Sequence, residues 1–480
     1  MLTLADVLEA LTGVRPEKAS LVISEASVDS RQVIPAGMFV ALPGERVDGH
    51  DFVGSAFQRG AHLALVQKDL SGQFPTIDLR QASLPSELPG LPTDFSQLKP
   101  PFCLWVTDSL KALQTVAGFR RRKLNLRVIG ITGSVGKSTT KELIAEVLCQ
   151  RFRTLKSPGN LNNEIGLPLT LLRLGEGHEC AVLEMGFYVP GEISFLCTLA
   201  QPQVGVITNV GTVHAERAGS QEAIAQGKSE LIQALPAAPD GTAILNYDDP
   251  WVRQMADKTC AQIFFYGLDP KADLWADRIE GLGLEGIRFR MHFHSEVLHM
   301  RVPLIGRHSV HTVLRAAAVG LVEGLTWQDI IAGLQRGNNQ LRLVAAHTEN
   351  GALLLDDTYN ASPESTLAAL NLLDEMSGRK VAVLGDMLEL GPYEKQGHEM
   401  VGDRAAEVCD ELVTVGERGK MIATAASSAG MPASAVIWVA TVPEAIEILH
   451  NELKTGDVVL IKGSHGLRMD RIVSALETEQ

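Results

Sequence analysis

The thirteen residues Val128-Ile129-Gly130-Ile131-Thr132-Gly133-Ser134-Val135-Gly136-Lys137-Ser138-Thr139-Thr140 carry the clearest chemistry in the chain. Arg127 to Ile131 reads as a buried strand. Thr139 to Gln150 has helical spacing, with Leu143, Ile144, Val147 and Leu148 on one face. A glycine-rich turn joins the two. Strand, glycine loop, Lys-Ser and helix together make a phosphate cradle. Gly133 and Gly136 let backbone N–H groups approach phosphate oxygens, Ser134 and Thr139 flank them, and the helix N-terminus adds partial positive charge. Lys137 would reach the β- and γ-phosphates of ATP, and the Ser138 hydroxyl would ligate Mg²⁺. The spacing is a variant, T-G-S-x-G-K-[ST], because Ile131 stands where the usual pattern has its first glycine.

Four further stretches hold groups suited to a site. In Gly159-Asn160-Leu161-Asn162-Asn163-Glu164-Ile165-Gly166 the amides of Asn162 and Asn163 either hold a substrate or the γ-phosphate region, or cap the following helix. Glu184 closes the apolar run Cys180 to Glu184, and the C-terminal end of a buried strand is where α/β sheets place ligand groups. It is a candidate for Mg²⁺ or for a salt bridge. His214 follows the run Val204 to Asn209 and would be a metal ligand, as neutral imidazole, or a structural histidine. Lys228, in Ala225-Gln226-Gly227-Lys228-Ser229-Glu230-Leu231, lies on a helix as either a site amine or a surface lysine.

The elements that must position these groups alternate. After the loop, strand-like runs at 180–184, 204–209, 243–246 and 263–266 are separated by helical stretches, the rhythm of a parallel sheet covered on both faces. Alternation from Ile279 to Val302 predicts antiparallel edge strands, and Pro303 to Gly320 a helix. From Leu341 a second α/β unit begins, with strand-like runs at 352–356, 380–385, 411–415, 436–440 and 458–462. Ahead of the loop, residues 2–11 read as a helix, 21–60 as short strands and turns before a helix, 105–108 as a strand and 109–123 as a helix. The basic end of that helix, Arg120-Arg121-Arg122-Lys123, is expected to be solvated. Residues 73–101 carry six prolines and read as a linker or insertion.

Bulk numbers set limits. The 480 residues allow two to four domains, and 45 % hydrophobic with 21 % charged residues is ordinary for a globular protein. A net charge of −14 argues against a nucleic-acid partner, so anionic ligands must be met by local cations and helix ends. Six scattered cysteines without a C-x-x-C pair fit free thiols in a reducing compartment. No apolar run reaches about 18 residues, and Asp6 and Glu9 sit in the first helix, so neither a membrane span nor a signal peptide is expected.

Beyond these readings, the chain resembles the Mur ligases, which join amino acids or peptides to a carboxylate using ATP. The resemblance runs from about Leu21 to Val473. It rests on Asp29-Ser30-Arg31, Gly37-Met38-Phe39-Val40-Ala41-Leu42 and Asp48-Gly49-His50-Asp51-Phe52, on the phosphate loop, and on Asp356-Asp357-Thr358-Tyr359-Asn360-Ala361-Ser362-Pro363-Glu364-Ser365. Gly385-Asp386-Met387-Leu388-Glu389-Leu390-Gly391 and Lys462-Gly463-Ser464-His465-Gly466-Leu467-Arg468-Met469 extend it.

The resemblance implies an α/β protein of three domains. These are a small UDP-binding domain (1–105), a central P-loop-type, mostly parallel ATPase domain (106–340) and a C-terminal Rossmann-like acceptor domain (341–480). The D-x-Y-N-A-[NS]-P-x-S pattern is that of the members adding D-alanyl-D-alanine to UDP-N-acetylmuramoyl-tripeptide. It implies substrate contacts at Ser30, Arg31, Asn162, Asn163, Tyr359, Asn360 and Ser464, and nucleotide contacts at Arg342 and Asp357. Two Mg²⁺ ions, ligated by Ser138, Glu184 and His214, and a carbamylated Lys228 follow from it too, as do a cytoplasmic, bacterial setting and a monomer. Ser309 and Thr312 stand where the family usually has two asparagines near the adenine.

Overall fold

Leu63–Val66 and Phe102–Trp105 are continuous apolar tetrads, the pattern of strands buried on both faces, and they pair in parallel at the centre of a five-stranded sheet. Its order is Ala26–Ser27, Met38–Val40, Leu63–Val66, Phe102–Trp105, Thr76–Asp78, all neighbours parallel. In this computed structural model the described residues are 2–16, 18–44, 47–80, 98–212, 215–336 and 344–477. They divide into two compact units: Met1–Gly130, Phe152–Gly186 and Glu192–Gln203 form the first, and Ile131–Arg151, Phe187–Gly191 and Val204–Gln480 the second.

Two expectations for the first unit need correction. Thr76–Asp78, read as part of the linker, is an edge strand against Cys103–Trp105, with Pro75 just ahead of it where no ladder N–H is lost. Residues 81–97 of the expected linker lie outside the described residues. The strand expected at 105–108 ends at Trp105. Asp108 instead caps helix Ser109–Arg122, accepting from the Lys111 N–H.

The basic cluster is also not a solvated helix end. Arg120 and Arg121 are each 4 % exposed. Arg121 donates to the carbonyls of Ala200 (2.8 Å), Leu124 (3.0 Å) and Leu126 (3.3 Å), and Arg120 to that of Leu174 (3.2 Å). Burial lowers the Arg121 pKa. Lys123, more exposed, pairs with Glu9 at 2.6 Å. A planar guanidinium can close several orphan carbonyls at once, which is why it lies inside.

The central segment is mostly parallel, as expected. In the first unit Thr154–Lys156 and Cys180–Glu184 pair in parallel. Strand Arg127–Thr132 carries the chain into the second unit. There Val204–Ile207, Thr242–Asn246, Gln262–Gly267 and Leu274–Gly281 are successive parallel neighbours. Ile287–Phe293 and Glu296–Val302 then add an antiparallel hairpin, the alternation seen in the sequence. The expected helix at 303–320 is Ser309–Val322, starting after the turn at Gly306, whose φ is +80°.

The last sheet, also in the second unit, has six strands: Val344–His347, Leu353–Asp356, Val458–Lys462, Lys380–Gly385, Glu411–Val415 and Val436–Val439. All pair in parallel except the first, an edge strand missed in the sequence because Val-Ala-Ala-His shows no clear period. One core cluster, including Leu354, Val383 and Ile461, and another, including Leu355, Leu384 and Leu460, hold the alternating faces of its strands.

Arg121→Met should lower the urea-unfolding free energy by about 2–4 kcal/mol, because three carbonyls lose their donor in the interior. Lys123→Met should change it by less than about 1 kcal/mol. Equal effects in equilibrium denaturation would contradict this division of the cluster.

Candidate active site

Gly133 and Gly136 take φ of +146° and +81°, where a side chain would be strained. A Cβ on Gly133 would fall 1.8 Å from Thr208 Oγ1. The loop is clamped by residues just after strand Val204–Ile207. Ser134 N–H donates to Asn209 O (3.0 Å), Val135 N–H to Asn209 Oδ1 (2.9 Å), and the Thr208 hydroxyl to Val135 O (2.7 Å). Gly211 N–H donates to Ser134 Oγ at 2.8 Å. Gly136 caps helix Lys137–Leu148 without a side-chain hydrogen bond, an arrangement suited to an anion at the helix N-terminus. Lys137 Nζ folds back onto the carbonyls of Gly133 (2.8 Å) and Ser134 (3.4 Å). Ser138 and Thr139, half-buried, follow on the first turn, and the buried hydroxyls of Thr132 and Thr140 have no hydrogen-bond partner among the described residues. Amides, amine and hydroxyls around a strained loop fit a triphosphate.

Lys228, in helix Gln221–Gln233, is 1 % exposed. Its Nζ lies 5.0 Å from the Phe187 ring centre, and Gly227 lets the ring approach, since a Cβ there would fall 1.9 Å from it. Burial first, and then the charge of Lys137, drives its pKa well below that of an ordinary lysine. The surface-lysine alternative is thus excluded.

In the first unit Glu184 is 2 % exposed at its strand's C-terminal end. Its Oε1 accepts from Asn162 Nδ2 at 2.9 Å. Asn163 does the other job offered by the sequence. Its Oδ1 accepts from the N–H groups of Ile165 (3.3 Å) and Gly166 (2.8 Å) at the start of helix Gly166–Leu172. Ser30 is buried, whereas the Arg31 side chain is 82 % exposed and forks onto Asp29, holding that carboxyl below the usual range.

In the second unit Asp357 Oδ2 accepts from Lys462 Nζ at 2.6 Å, and the same amine reaches Asn360 O at 2.9 Å. Tyr359 is exposed beside His465, their rings 6.5 Å apart. Ser464 is buried, its Oγ accepting from Leu388 N–H at 2.9 Å. Ser309 and Thr312 are buried too. The Ser309 hydroxyl donates to Ile305 O (2.7 Å), and Thr312 Oγ1 accepts from Arg315 Nη2 (2.7 Å). His214 and Arg342 lie outside the described residues.

Three family models match the chain: "Mur ligase family, catalytic domain" at residues 22–77, "Mur ligase middle domain" at 131–320 and "Mur ligase, glutamate ligase domain" at 341–465. Relatives named UDP-N-acetylmuramoyl-tripeptide--D-alanyl-D-alanine ligase are similar end to end. That of Mycobacterium tuberculosis is 34 % identical, covering 99 % of this chain and 97 % of the relative. That of Escherichia coli is 32 % identical, covering 99 % and 98 %. The chain belongs to the Mur ligase family.

Solved Mur ligases share its three-domain α/β architecture. MurF from Acinetobacter baumannii superposes with a TM-score of 0.80 at 30 % identity over 98 % of this chain and 97 % of that one. MurF from Thermotoga maritima, in complex with ADP, gives 0.76 at 26 % over 97 % of each. Two charged residues of this Mur ligase escaped the sequence reading. Lys462 ends a parallel strand, a position that could have signalled a ligand group. Arg315 interrupts the apolar run Val313 to Val319, and a cation inside such a run is a legible anomaly.

Lys137→Ala should cut turnover by at least about 10²–10³-fold, since its charge acts on the transferring phosphoryl group. The melting temperature should stay near the parent's. Turnover within about tenfold of the parent would refute the role.

A second expectation concerns pH. Burial, then His311, Arg315 and Lys462, push the His308 pKa down to about 4 from 6.5. Between those values the unfolded chain holds the extra proton, so stability falls as pH drops through the window. His308 is itself exposed, so solvent screens much of this effect, and between pH 7 and 4.5 His308→Gln should lose only about 1 kcal/mol less than the parent in urea titrations.

Proposed function

We propose that this chain uses ATP to join the tripeptide carboxylate of UDP-N-acetylmuramoyl-tripeptide to the amine of D-alanyl-D-alanine. End-to-end similarity to ligases of that name carries the reading, and the phosphate cradle beside a buried Lys228 supports it. A carboxylate is a poor acyl donor. Its oxygen attacks the γ-phosphorus of ATP and ADP departs, leaving an acyl phosphate. The dipeptide amine then adds to the acyl carbon, loses a proton, and the tetrahedral adduct expels phosphate. Lys137 and the loop at Gly133, Ser134, Gly136 and Thr139 stabilise charge spread over the transferring group.

The other roles are proposals of the same kind. Asp357 and Arg342 contact the nucleotide. Ser30 and Arg31 serve the uridine diphosphate. Asn162, Asn163, Tyr359, Asn360 and Ser464 serve the peptide substrates. The domains divide at 105/106 and 340/341, and the enzyme works as a cytoplasmic monomer in peptidoglycan-precursor synthesis. Among the described residues no helix is long and apolar enough to cross a membrane.

Oxygen donors suited to Mg²⁺ are present, the Ser138 hydroxyl in the second unit and the Glu184 carboxylate in the first, with His214 as a further ligand. Among the described residues no three acidic, histidine or cysteine groups could hold a metal by themselves. When bound, two Mg²⁺ ions would neutralise phosphate charge.

Lys228 is proposed to be carbamylated. A neutral amine is needed to attack CO₂, and burial together with Lys137 favours that form. The reaction releases one proton and leaves a carbamate anion, which exchanges a repelled cation for a partner of Lys137. Lys228→Ala should be inactive and partly restored by short carboxylic acids, while ¹³C-bicarbonate should give a carbamate resonance only in the parent. An active alanine variant would overturn this role. The overall function is tested by phosphate release across UDP-muramoyl peptides and dipeptides. Full-rate release from ATP alone would defeat the ligase reading.

A further inference from the structure

Arg315 is 4 % exposed in helix Ser309–Val322, and Val313, Leu314 and Ala316 to Val319 around it are all buried. A guanidinium has five N–H donors. One Nη2 hydrogen goes to Thr312 Oγ1 at 2.7 Å, and Nη1 reaches Tyr266 Oη only at 3.5 Å. Nε is buried with no hydrogen-bond partner among the described residues. Tyr266 is no counter-ion. Its hydroxyl lies 3.0 Å from Ile207 O and 3.1 Å from Thr208 O, and burial pushes its pKa up to about 12. Asp248 and Asp249, the acidic groups felt by Tyr266, are occupied elsewhere. Asp248 binds His311 and the Leu268 N–H, and Asp249 binds the N–H groups of Val210, Trp251 and Val252. A buried cation without a carboxylate is costly unless an anion reaches it.

The guanidinium is placed where such an anion is expected. A Cβ built on Gly136 would lie 3.3 Å from Arg315 Nη2, so the group sits at the residue that caps helix Lys137–Leu148. We propose that Arg315 is a phosphate-binding residue of the nucleotide site, donating to an oxygen of the phosphate chain beside Gly136. This rests on the reading of the loop as a nucleotide cradle. It also assigns Thr312 a positioning task, since its hydroxyl holds Arg315, while that of Ser309 is taken by Ile305 O. The start of this helix thus contributes to phosphate recognition, which does not depend on the base.

The test is calorimetric titration of ADP, GDP and adenosine into the parent, Arg315→Met and Arg315→Gln, with melting temperatures measured without nucleotide. Both variants should lose about 10- to 100-fold in ADP affinity, the scale of a charge-assisted hydrogen bond. GDP should weaken by the same factor, adenosine should be unaffected, and the nucleotide-free melting temperature should hold. ADP affinity within about twofold of the parent would overturn the proposal and leave the ligase reading intact. A loss confined to ADP over GDP would make the contact one to the base and overturn it too. Unfolding of both variants would assign Arg315 to the fold instead. A parent that binds no ADP would defeat the nucleotide reading and this proposal with it.

Discussion

Desolvated positive charge is the constraint on which the second unit depends. Lys228 is buried and feels Lys137, while His308 feels both Arg315 and Lys462. Lys462 has a close carboxylate, Asp357. The chain as a whole carries −14, so the positive potential is local and made by burial, not by composition. Such an arrangement raises the energy of the protein before ligand binds and lowers it when anions arrive. A triphosphate supplies that charge, and a carbamate on Lys228 would supply more. The same burial that makes the site costly makes it selective for anions, because low local dielectric strengthens every charge pair formed there.

The loop meets this constraint through backbone geometry. Two glycines at positive φ set the turn, and Asn209 with the hydroxyl of Thr208 holds it in place. Because the clamp belongs to the end of a neighbouring parallel strand, the loop shares the rigidity of the sheet core. Phe187 over Lys228 works in the same way, fitting against a helix only because residue 227 has no side chain. Small residues here create close approach, and close approach creates the low-dielectric surroundings that depress the amine.

Much of this was legible in the sequence, and the reason differs by element. Lys380–Gly385, Glu411–Val415 and Val458–Lys462 matched to the residue, because strands buried on both faces are written as unbroken apolar runs. The cradle was legible because its chemistry is local. What was missed depends on distant partners. Arg121 looked solvated in its helix, yet its acceptor at Ala200 lies 79 residues away. Thr76–Asp78 looked like linker because an edge strand beginning after proline has little pattern of its own. Arg315 could be seen as odd, but its seat beside Gly136 could not, because nothing in the spacing links residues 136 and 315.

Asn162 and Asn163 show how an ambiguous motif resolves. The sequence allowed a helix cap or a substrate contact, and adjacent residues divide the work. Asn163 satisfies the first N–H groups of helix Gly166–Leu172, which fixes the backbone of the turn. That turn aims Asn162 at Glu184, while Gly186 N–H closes onto Asn162 O at 2.7 Å. A Cβ on Gly186 would lie 2.9 Å from Asn162 Oδ1, so only glycine leaves room for the amide. One Glu184 oxygen is thereby oriented by a neutral donor at the C-terminal end of a buried strand, where a carboxylate can be presented to a ligand.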